Sequence, residues 1–329
     1  MGNRRLRAAI VGAGLMGRWH AAAIVRAGHV VAAVVDPDTS RAAALASSYR
    51  GAISAATLGS VGDADVVHVC TPLATHVPIA HEALTRGCHV VIEKPIAATL
   101  SNTRDVVVLA QASGRLIVPV HQFLFQDGVQ EAARALPELG PLLHVDFVAC
   151  TAGAAHLSES GQDGLIREIL PHPLSLIARL VSPALTGAGW QVQHSRPGEL
   201  RVHAALGDVT ISLLISAGGR PTVNALRLIA ARGTIHLDLF HGFAVVMRGR
   251  ATRSGKVLQP FAASGSTFHA AAMNLARRAA TREPAYPGLR ELIRRFYTAV
   301  QSGGPAPISP DECLAVAMAM ETISERFER

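Results

Sequence analysis

Lysine is almost missing from this chain. Of 31 cationic side chains in 329 residues, only Lys94 and Lys256 are lysines, and all the others are arginines. The arginines stand singly or in pairs such as Arg277-Arg278 and Arg294-Arg295. With no basic stripe and no interleaved aromatics, the net charge of +7 does not read as a nucleic-acid surface. Nor does any apolar run approach the roughly 20 residues that span a bilayer. Met1 to Arg7 is polar and lacks a secretory-leader pattern, and Leu6 stands where a myristoylation motif wants Ser or Thr. The expectation is a soluble, cytoplasmic protein whose partners include neither nucleic acid nor membrane. Cysteine is scarce too. Cys70, Cys88, Cys150 and Cys313 are widely spaced and form no C-x-x-C pair, which argues for reduced thiols and against a structural metal or a disulfide framework.

What the chain has is apolar material, with 49% hydrophobic residues against 17% charged. At roughly 150 residues per domain its length predicts two, taken here as 1–120 and 121–329. The first stretch alternates strands and helices. Strands are predicted at Ala8 to Val11, Val30 to Val35, Val66 to Cys70, His89 to Ile92 and Leu116 to Val120. Helices fall between them at Leu15 to Ala27, Ser40 to Ser48, His76 to Arg86 and Leu100 to Ser113. This is the rhythm of a doubly wound parallel sheet.

After residue 121 the rhythm changes. A helix near Val129 to Leu136 and a strand near His144 to Cys150 precede a Gly- and Ser-rich loop from Thr151 to Gly164. A helical stretch, Leu174 to Leu180, follows. Five strands then succeed one another at Leu200 to Ala205, Val209 to Ile215, Val223 to Ile229, Thr234 to Leu239 and Ala244 to Met247. Such a run predicts an antiparallel sheet in an α+β domain. Helices at Thr267 to Arg282, Leu289 to Val300 and Pro310 to Phe327 close the chain. Ser309-Pro310-Asp311-Glu312 carries the signature of a helix start for the last of them.

Gly12-Ala13-Gly14-Leu15-Met16-Gly17 follows the first strand and opens the first helix. Gly12 makes the tight turn, Gly14 lets the backbone approach a pyrophosphate, and Gly17 allows close helix–strand packing. Asp36 ends the second strand, 19 residues beyond Gly17, near the spacing of the carboxylate that grips a ribose 2′-hydroxyl. That charge, with Asp38 beside it, repels a 2′-phosphate, while Arg41 offsets it in part. NAD(H) is therefore favoured over NADP(H), which remains possible. Lys94 sits just past the carboxyl end of a predicted parallel strand, where doubly wound sheets bind ligands. In a chain that writes nearly every cation as arginine, this lysine marks a need for a compact ammonium whose pKa moves with burial.

These residues bring a family into view. Gly17-Arg18-Trp19-His20, Thr71-Pro72 followed by His76, and Arg86-Gly87-Cys88-His89-Val90-Val91-Ile92-Glu93-Lys94-Pro95 resemble the motifs of the Gfo/Idh/MocA oxidoreductases. In the second domain, Ala231-Arg232-Gly233-Thr234-Ile235-His236-Leu237 is similar to the family's glycine-containing strand pair. The resemblance implies a Rossmann domain plus an α+β domain with a large, open-faced, mainly antiparallel sheet, assembled as a homodimer or homotetramer. It implies NAD(P)-dependent hydride transfer on a small-molecule secondary alcohol, ketone or imine of a sugar, cyclitol or specialised metabolite. It surrounds the cofactor with Leu15, Met16, Cys70, Thr71, Pro72, His76, Glu93 and Lys94, and puts Lys94 on the substrate oxygen.

The family's D-x-G-x-H-x-x-D run, with its histidine as acid/base, matches Glu168-Ile169-Leu170-Pro171-His172-Pro173-Leu174-Ser175. His172 keeps its place, and Glu168 stands ready to orient it. The glycine becomes Leu170 and the last acid Ser175. Gln122 and Phe125 fit the family's junction after the last Rossmann strand, but Leu124 replaces an arginine. With Ile169 and Leu170, this implies a more apolar substrate pocket, with His121 and His156 as further contacts. Two other readings stay open at this point. One is elimination or glycosidic cleavage driven by transient oxidation on tightly bound NAD. The other is a cofactor-sensing regulator without catalysis.

Overall fold

Short runs of Val, Ile and Ala without polar interruption form strands that are buried on both faces. In the computed structural model, which describes residues 4–151, 153, 156–182, 185–249, 253–283 and 285–327, six such strands make one parallel sheet. They are β1 (Arg7–Val11), β2 (Val30–Val35), β3 (Ile53–Ala55), β4 (Val66–Val69), β5 (His89–Ile92) and β6 (Ile117–Pro119). Their order is β3-β2-β1-β4-β5-β6. The order reverses between β1 and β4, and a ligand crevice opens outside the carboxyl ends of the strands at such a switch point. The connections carry α1 (Leu15–Arg26), α2 (Thr39–Ala46), α3 (His76–Thr85) and α4 (Leu100–Ala112).

The second sheet has seven strands in the order β13-β12-β11-β7-β10-β9-β8. They are β7 (Leu142–Cys150), β8 (Gln191–Arg196), β9 (Glu199–Leu206), β10 (Val209–Ser216), β11 (Val223–Ala230), β12 (Gly233–Asp238) and β13 (Phe243–Arg248). All neighbours are antiparallel except β7 and β10, which run parallel. Burial alternates along β7: Val145, Phe147 and Ala149 face inward, and the residues between them are half-exposed. Alternation of this kind belongs to a sheet packed on one face only. The helices of this part are α5 (Asp127–Ala135), α6 (Glu159–Ile169), α7 (Pro171–Leu180) and α8 (Arg253–Thr281).

Two compact units result, and neither is one stretch of sequence. The first joins Met1–Val120 to Leu289–Met318, and the second joins His121–Gly288 to Ala319–Arg329. The chain returns to the first unit because α9 (Leu289–Ser302) packs against α1, burying Leu292, Ile293, Phe296 and Tyr297. The last helix, α10 (Pro310–Phe327), gives its first half to one unit and its second half to the other.

Several elements depart from the sequence expectation. β3 spans three residues and β8 is largely exposed and polar, so neither has the apolar periodicity that marks a strand. Part of the expected loop from Thr151 to Gly164 is helix, because Ser158 caps α6 by accepting from the Gly161 amide at 3.2 Å. Ala152, Ala154 and Ala155 of that stretch lie outside the described residues. α8 begins well before Thr267 and carries Pro260 inside it.

The helix start read at Ser309 is present in full. The Ser309 hydroxyl accepts from the Glu312 amide at 3.2 Å, and the Glu312 carboxylate accepts from the Ser309 amide at 2.9 Å. Ser309→Ala should lower the free energy of unfolding by about 1 kcal/mol, and Ser309→Thr should recover most of it. Chemical denaturation of the three proteins checks this.

Candidate active site

The glycine loop is built by close approach. Gly12 has φ near 101°, and a Cβ there would run into the Cys70 carbonyl. A Cβ on Gly17 would meet the Gly12 carbonyl oxygen, so α1 could not start where it does. At Gly14 the space is open, and the nearest atom to a Cβ would be an Arg41 guanidinium nitrogen at 3.8 Å. Gly14 is the N-cap of α1 and brings no side chain to cap it. The first-turn amides of Leu15, Met16 and Gly17 therefore gather at the helix's positive end without a capping oxygen. Beside them, Thr71 Oγ1 is buried with no hydrogen-bond partner among the described residues. Free amides, an open face at Gly14 and an unpartnered hydroxyl fit the diphosphate of a dinucleotide.

Asp36 stands at the carboxyl end of β2, nearly buried at 8% exposure. One oxygen accepts from the Ala13 amide of the glycine loop at 2.8 Å, and the other accepts from the Asp38 amide at 3.0 Å. The acid thus ties the loop to β2 as well as presenting charge, and a carboxylate retains lone pairs for a ribose hydroxyl. Asp38 is differently employed. It caps α2, accepting from the Ser40 and Arg41 amides at 3.0 and 3.2 Å and from the Ser40 hydroxyl at 2.5 Å. The Ser40 hydroxyl foremost, and then the amides, hold its pKa below the usual carboxylate value.

Past β5 come Glu93 and Lys94, followed by a cis bond to Pro95. The imidazole of His76, 1% exposed, spans from the Thr71 carbonyl at 2.9 Å to the Pro95 carbonyl at 2.8 Å. It fixes the loop after β4 to the turn after β5, and Cys70, Thr71 and Pro72 are held in that loop. Glu93 has a side chain only 12% exposed. Burial pushes its pKa up, but the hydrogen bond from His20 and the charge of Lys94 outweigh burial and leave it lowered. His20 Nε2 lies 3.2 Å from Glu93 Oε1, His20 Nδ1 lies 2.8 Å from His68 Nδ1, and His68 Nε2 lies 2.9 Å from the Tyr297 hydroxyl. His68 and Tyr297 were not singled out in the sequence, and His20 entered only as the end of the glycine-loop motif. The one available signal was a histidine inside Val66-Val67-His68-Val69, since a polar residue in a two-sided core strand requires a partner.

In the second unit, Gln122, Phe123, Leu124 and Phe125 form one 3₁₀ turn, packed against α7. The Phe123 ring stacks on the His172 imidazole, with centroids 4.2 Å apart and planes at 22°. α7 opens at Pro171, not Pro173, so His172 is its second residue, still within the positive first turn. His172 is 8% exposed, and Gln122 is equally buried, its Oε1 without a partner among the described residues. His121 is also buried.

The remaining expected residues differ in burial. Leu124 and Leu170 are each 1% exposed and belong to the interior, so of the three apolar replacements only Ile169 keeps a partly exposed surface. Glu168 is exposed on α6, and His156 is exposed in the turn before it. Ser175, where the family has an acid, donates its hydroxyl to the His172 carbonyl at 2.8 Å.

Burial, with His20 adding to it, holds the pKa of His68 well below the usual histidine value. In the unfolded chain His68 takes up a proton near pH 6.5, while in the folded chain it does not. The unfolded state then binds more protons, so stability falls as pH drops below about 6.5, by up to ~1.4 kcal/mol per pH unit from this one group. His68→Val should remove that part of the slope, read from thermal or denaturant unfolding between pH 7 and pH 5.

Residues 6–121 match the family described as an oxidoreductase family with an NAD-binding Rossmann fold. Inositol 2-dehydrogenase 4 of Saccharopolyspora erythraea is 28% identical over 96% of this chain and 92% of its own. Among solved structures, the WlbA dehydrogenase from Bordetella pertussis, in complex with NADH and UDP-GlcNAcA, superposes with a TM-score of 0.76 at 15% identity. That match covers 100% of this chain and 97% of the other. KijD10, a 3-ketoreductase from Actinomadura kijaniata in complex with NADP, gives a TM-score of 0.74 at 16% identity, covering 98% of both chains. At such identities the likeness is one of fold. Together with the motifs at the glycine loop and at Glu93-Lys94-Pro95, the match assigns residues 6–121 to the Gfo/Idh/MocA oxidoreductase family as its NAD-binding Rossmann domain.

Proposed function

We propose that this protein oxidises a secondary alcohol of a sugar or cyclitol and reduces the matching ketone, with NAD(H) as its favoured cofactor. The observation that carries this reading is Lys94. One of two lysines in the chain, it stands at the carboxyl edge of the parallel sheet beside a buried carboxylate. The inositol dehydrogenase and the sugar-nucleotide enzymes among the relatives support the substrate class.

A nicotinamide dinucleotide supplies the hydride acceptor for oxidation and the hydride donor for reduction. Gly12, Gly14, Leu15, Met16 and Gly17 hold its diphosphate, Asp36 its ribose, and Cys70, Thr71, Pro72 and His76 line its surroundings. Lys94 binds the substrate oxygen and stabilises the charge that develops there as the alcohol becomes an alkoxide. His172 takes the hydroxyl proton in oxidation and returns it in reduction. The first turn of α7 fixes its place, and the Phe123 ring fixes its plane. Gln122, buried with an open acceptor, orients a substrate hydroxyl.

Lys94→Ala and His172→Ala should each reduce turnover by about 10²-fold or more while cofactor affinity changes only a few-fold. Steady-state kinetics across a panel of sugars and cyclitols, with cofactor titration alongside, makes the test. Unchanged turnover in both variants would reject the assignment.

Cofactor preference follows from Asp36. Its buried charge opposes a 2′-phosphate, while Asp38 is engaged in capping and Arg41 lies toward Gly14. NADH should raise the melting temperature at lower concentration than NADPH, and Asp36→Ser should narrow the difference. A larger response to NADPH in the unaltered protein would refute this reading of the acid.

A further inference from the structure

Four buried side chains from four elements form one continuous array: Glu93 after β5, His20 on α1, His68 on β4 and Tyr297 on α9. The three inner members are 0% exposed. An apolar trio would fill the same space without the desolvation that two imidazoles and a phenol incur. Each hydrogen of the array can be assigned from one end. An ionised Glu93 only accepts, so His20 Nε2 carries the hydrogen and donates to it. A neutral His20 then accepts at Nδ1, so His68 Nδ1 carries its hydrogen and donates to His20. His68 Nε2 is left as acceptor, and Tyr297 donates to it. Every bond now points the same way, from the phenol toward the carboxylate. Besides the neutral His20, the assignment needs a neutral His68 and an intact Tyr297 hydroxyl, and burial favours these two: it lowers the His68 pKa and raises that of Tyr297.

We propose that His68 and Tyr297 are positioning residues which, acting through His20, aim the Glu93 carboxylate and keep it ionised beside Lys94. The proposal rests on the reading of Lys94 as a catalytic group. Aligned donors polarise one another, so the hydroxyl of Tyr297 strengthens the bond that His20 gives to Glu93 two steps away. An ionised Glu93 in turn keeps a compensating positive charge on Lys94. The array does not conduct protons to solvent, because its far end, Tyr297, is itself fully buried. The charged and titratable groups around it are few. Glu93 is faced by His20 from α1, by Lys94 next to it, and by Cys70 beyond β4, whose thiol is pushed up by burial and by Glu93. Tyr297 is faced by His68, by His29, whose ring stacks on it at 4.4 Å, and by the charge of Asp65.

Carbon-detected NMR of the Glu93 carboxyl in the cofactor-free chain tests the proposal without recourse to catalysis. Tyr297→Phe removes one hydroxyl and retains the ring that stacks on His29, and His68→Val breaks the array in the middle. Both should raise the midpoint of Glu93 by about half a pH unit or more, so that a protonated fraction appears at pH 5. His68→Gln offers an N–H toward His20 and a carbonyl toward Tyr297, preserving the polarity, and should hold the midpoint near that of the unaltered chain.

The acid limb of the kcat/KM profile should move upward with the Glu93 midpoint in the Phe and Val variants and remain in place in the Gln variant. A Glu93 midpoint that is the same in all four proteins overturns the proposal, as does a Gln variant that titrates like Val. If the unaltered chain turns over no sugar or cyclitol while the carboxyl midpoints behave as expected, the reading of the activity fails and the array stands. Should Tyr297→Phe not fold, the contrast between Gln and Val at position 68 decides alone.

Discussion

The site depends on one close contact, the passage of the Gly12 backbone against the carbonyl of Cys70. β1 and β4 are neighbours in the sheet but lead to connections on opposite sides of the strand order, so their carboxyl ends must diverge there. Only a residue without Cβ allows the chain leaving β1 to lie against the end of β4 and still turn into α1. The same contact brings the uncapped amides of α1 next to Thr71, and through the His76 imidazole to the turn that holds Lys94. Backbone geometry, rather than any one charged group, assembles the edge of the sheet.

Buried polar groups then set the electrostatics of that edge. Asp36 is nearly buried, and two backbone amides point at it, one of them from the glycine loop. Glu93 is buried yet held ionised because a histidine donates to it and Lys94 lies next to it. A carboxylate in a low-dielectric setting persists only where donors or an opposite charge offset its desolvation. Each acid therefore ties its own surroundings together, Asp36 joining the glycine loop to the end of β2 and Glu93 joining the array to the turn after β5.

The second unit presents its site differently. His172 is fixed by a ring stack and by the first turn of α7, and Ser175 turns its hydroxyl back onto the helix instead of supplying an acid. Replacement of the family's glycine by Leu170 lets the segment before Pro171 bury an apolar side chain. The departures from the family run are thus absorbed by packing within the unit, while the histidine keeps its place near the start of α7.

Much of the first unit was legible in the sequence. Two-sided burial writes itself as unbroken apolar runs, and a tight turn before a helix writes itself as spaced glycines. Both signals are local, and the strands, the glycine loop and Asp36 followed from them. β3 and β8 were not legible, because a three-residue strand and an exposed edge strand leave no periodic trace. Nor was the return of α9 to the first unit, or the service of Asp36 and Asp38 as hydrogen-bond acceptors for the backbone. The joining of His20, His68 and Tyr297 to Glu93 lay hidden for the same reason, as their partners are as many as 229 residues apart in the chain. The sequence by itself determined the family of residues 6–121 and the placement of a lysine at the sheet's edge, since these depend on neighbouring residues. Only the tertiary structure decided which buried groups face one another, because hydrogen bonding between distant segments is set by packing and leaves no periodic mark in the chain.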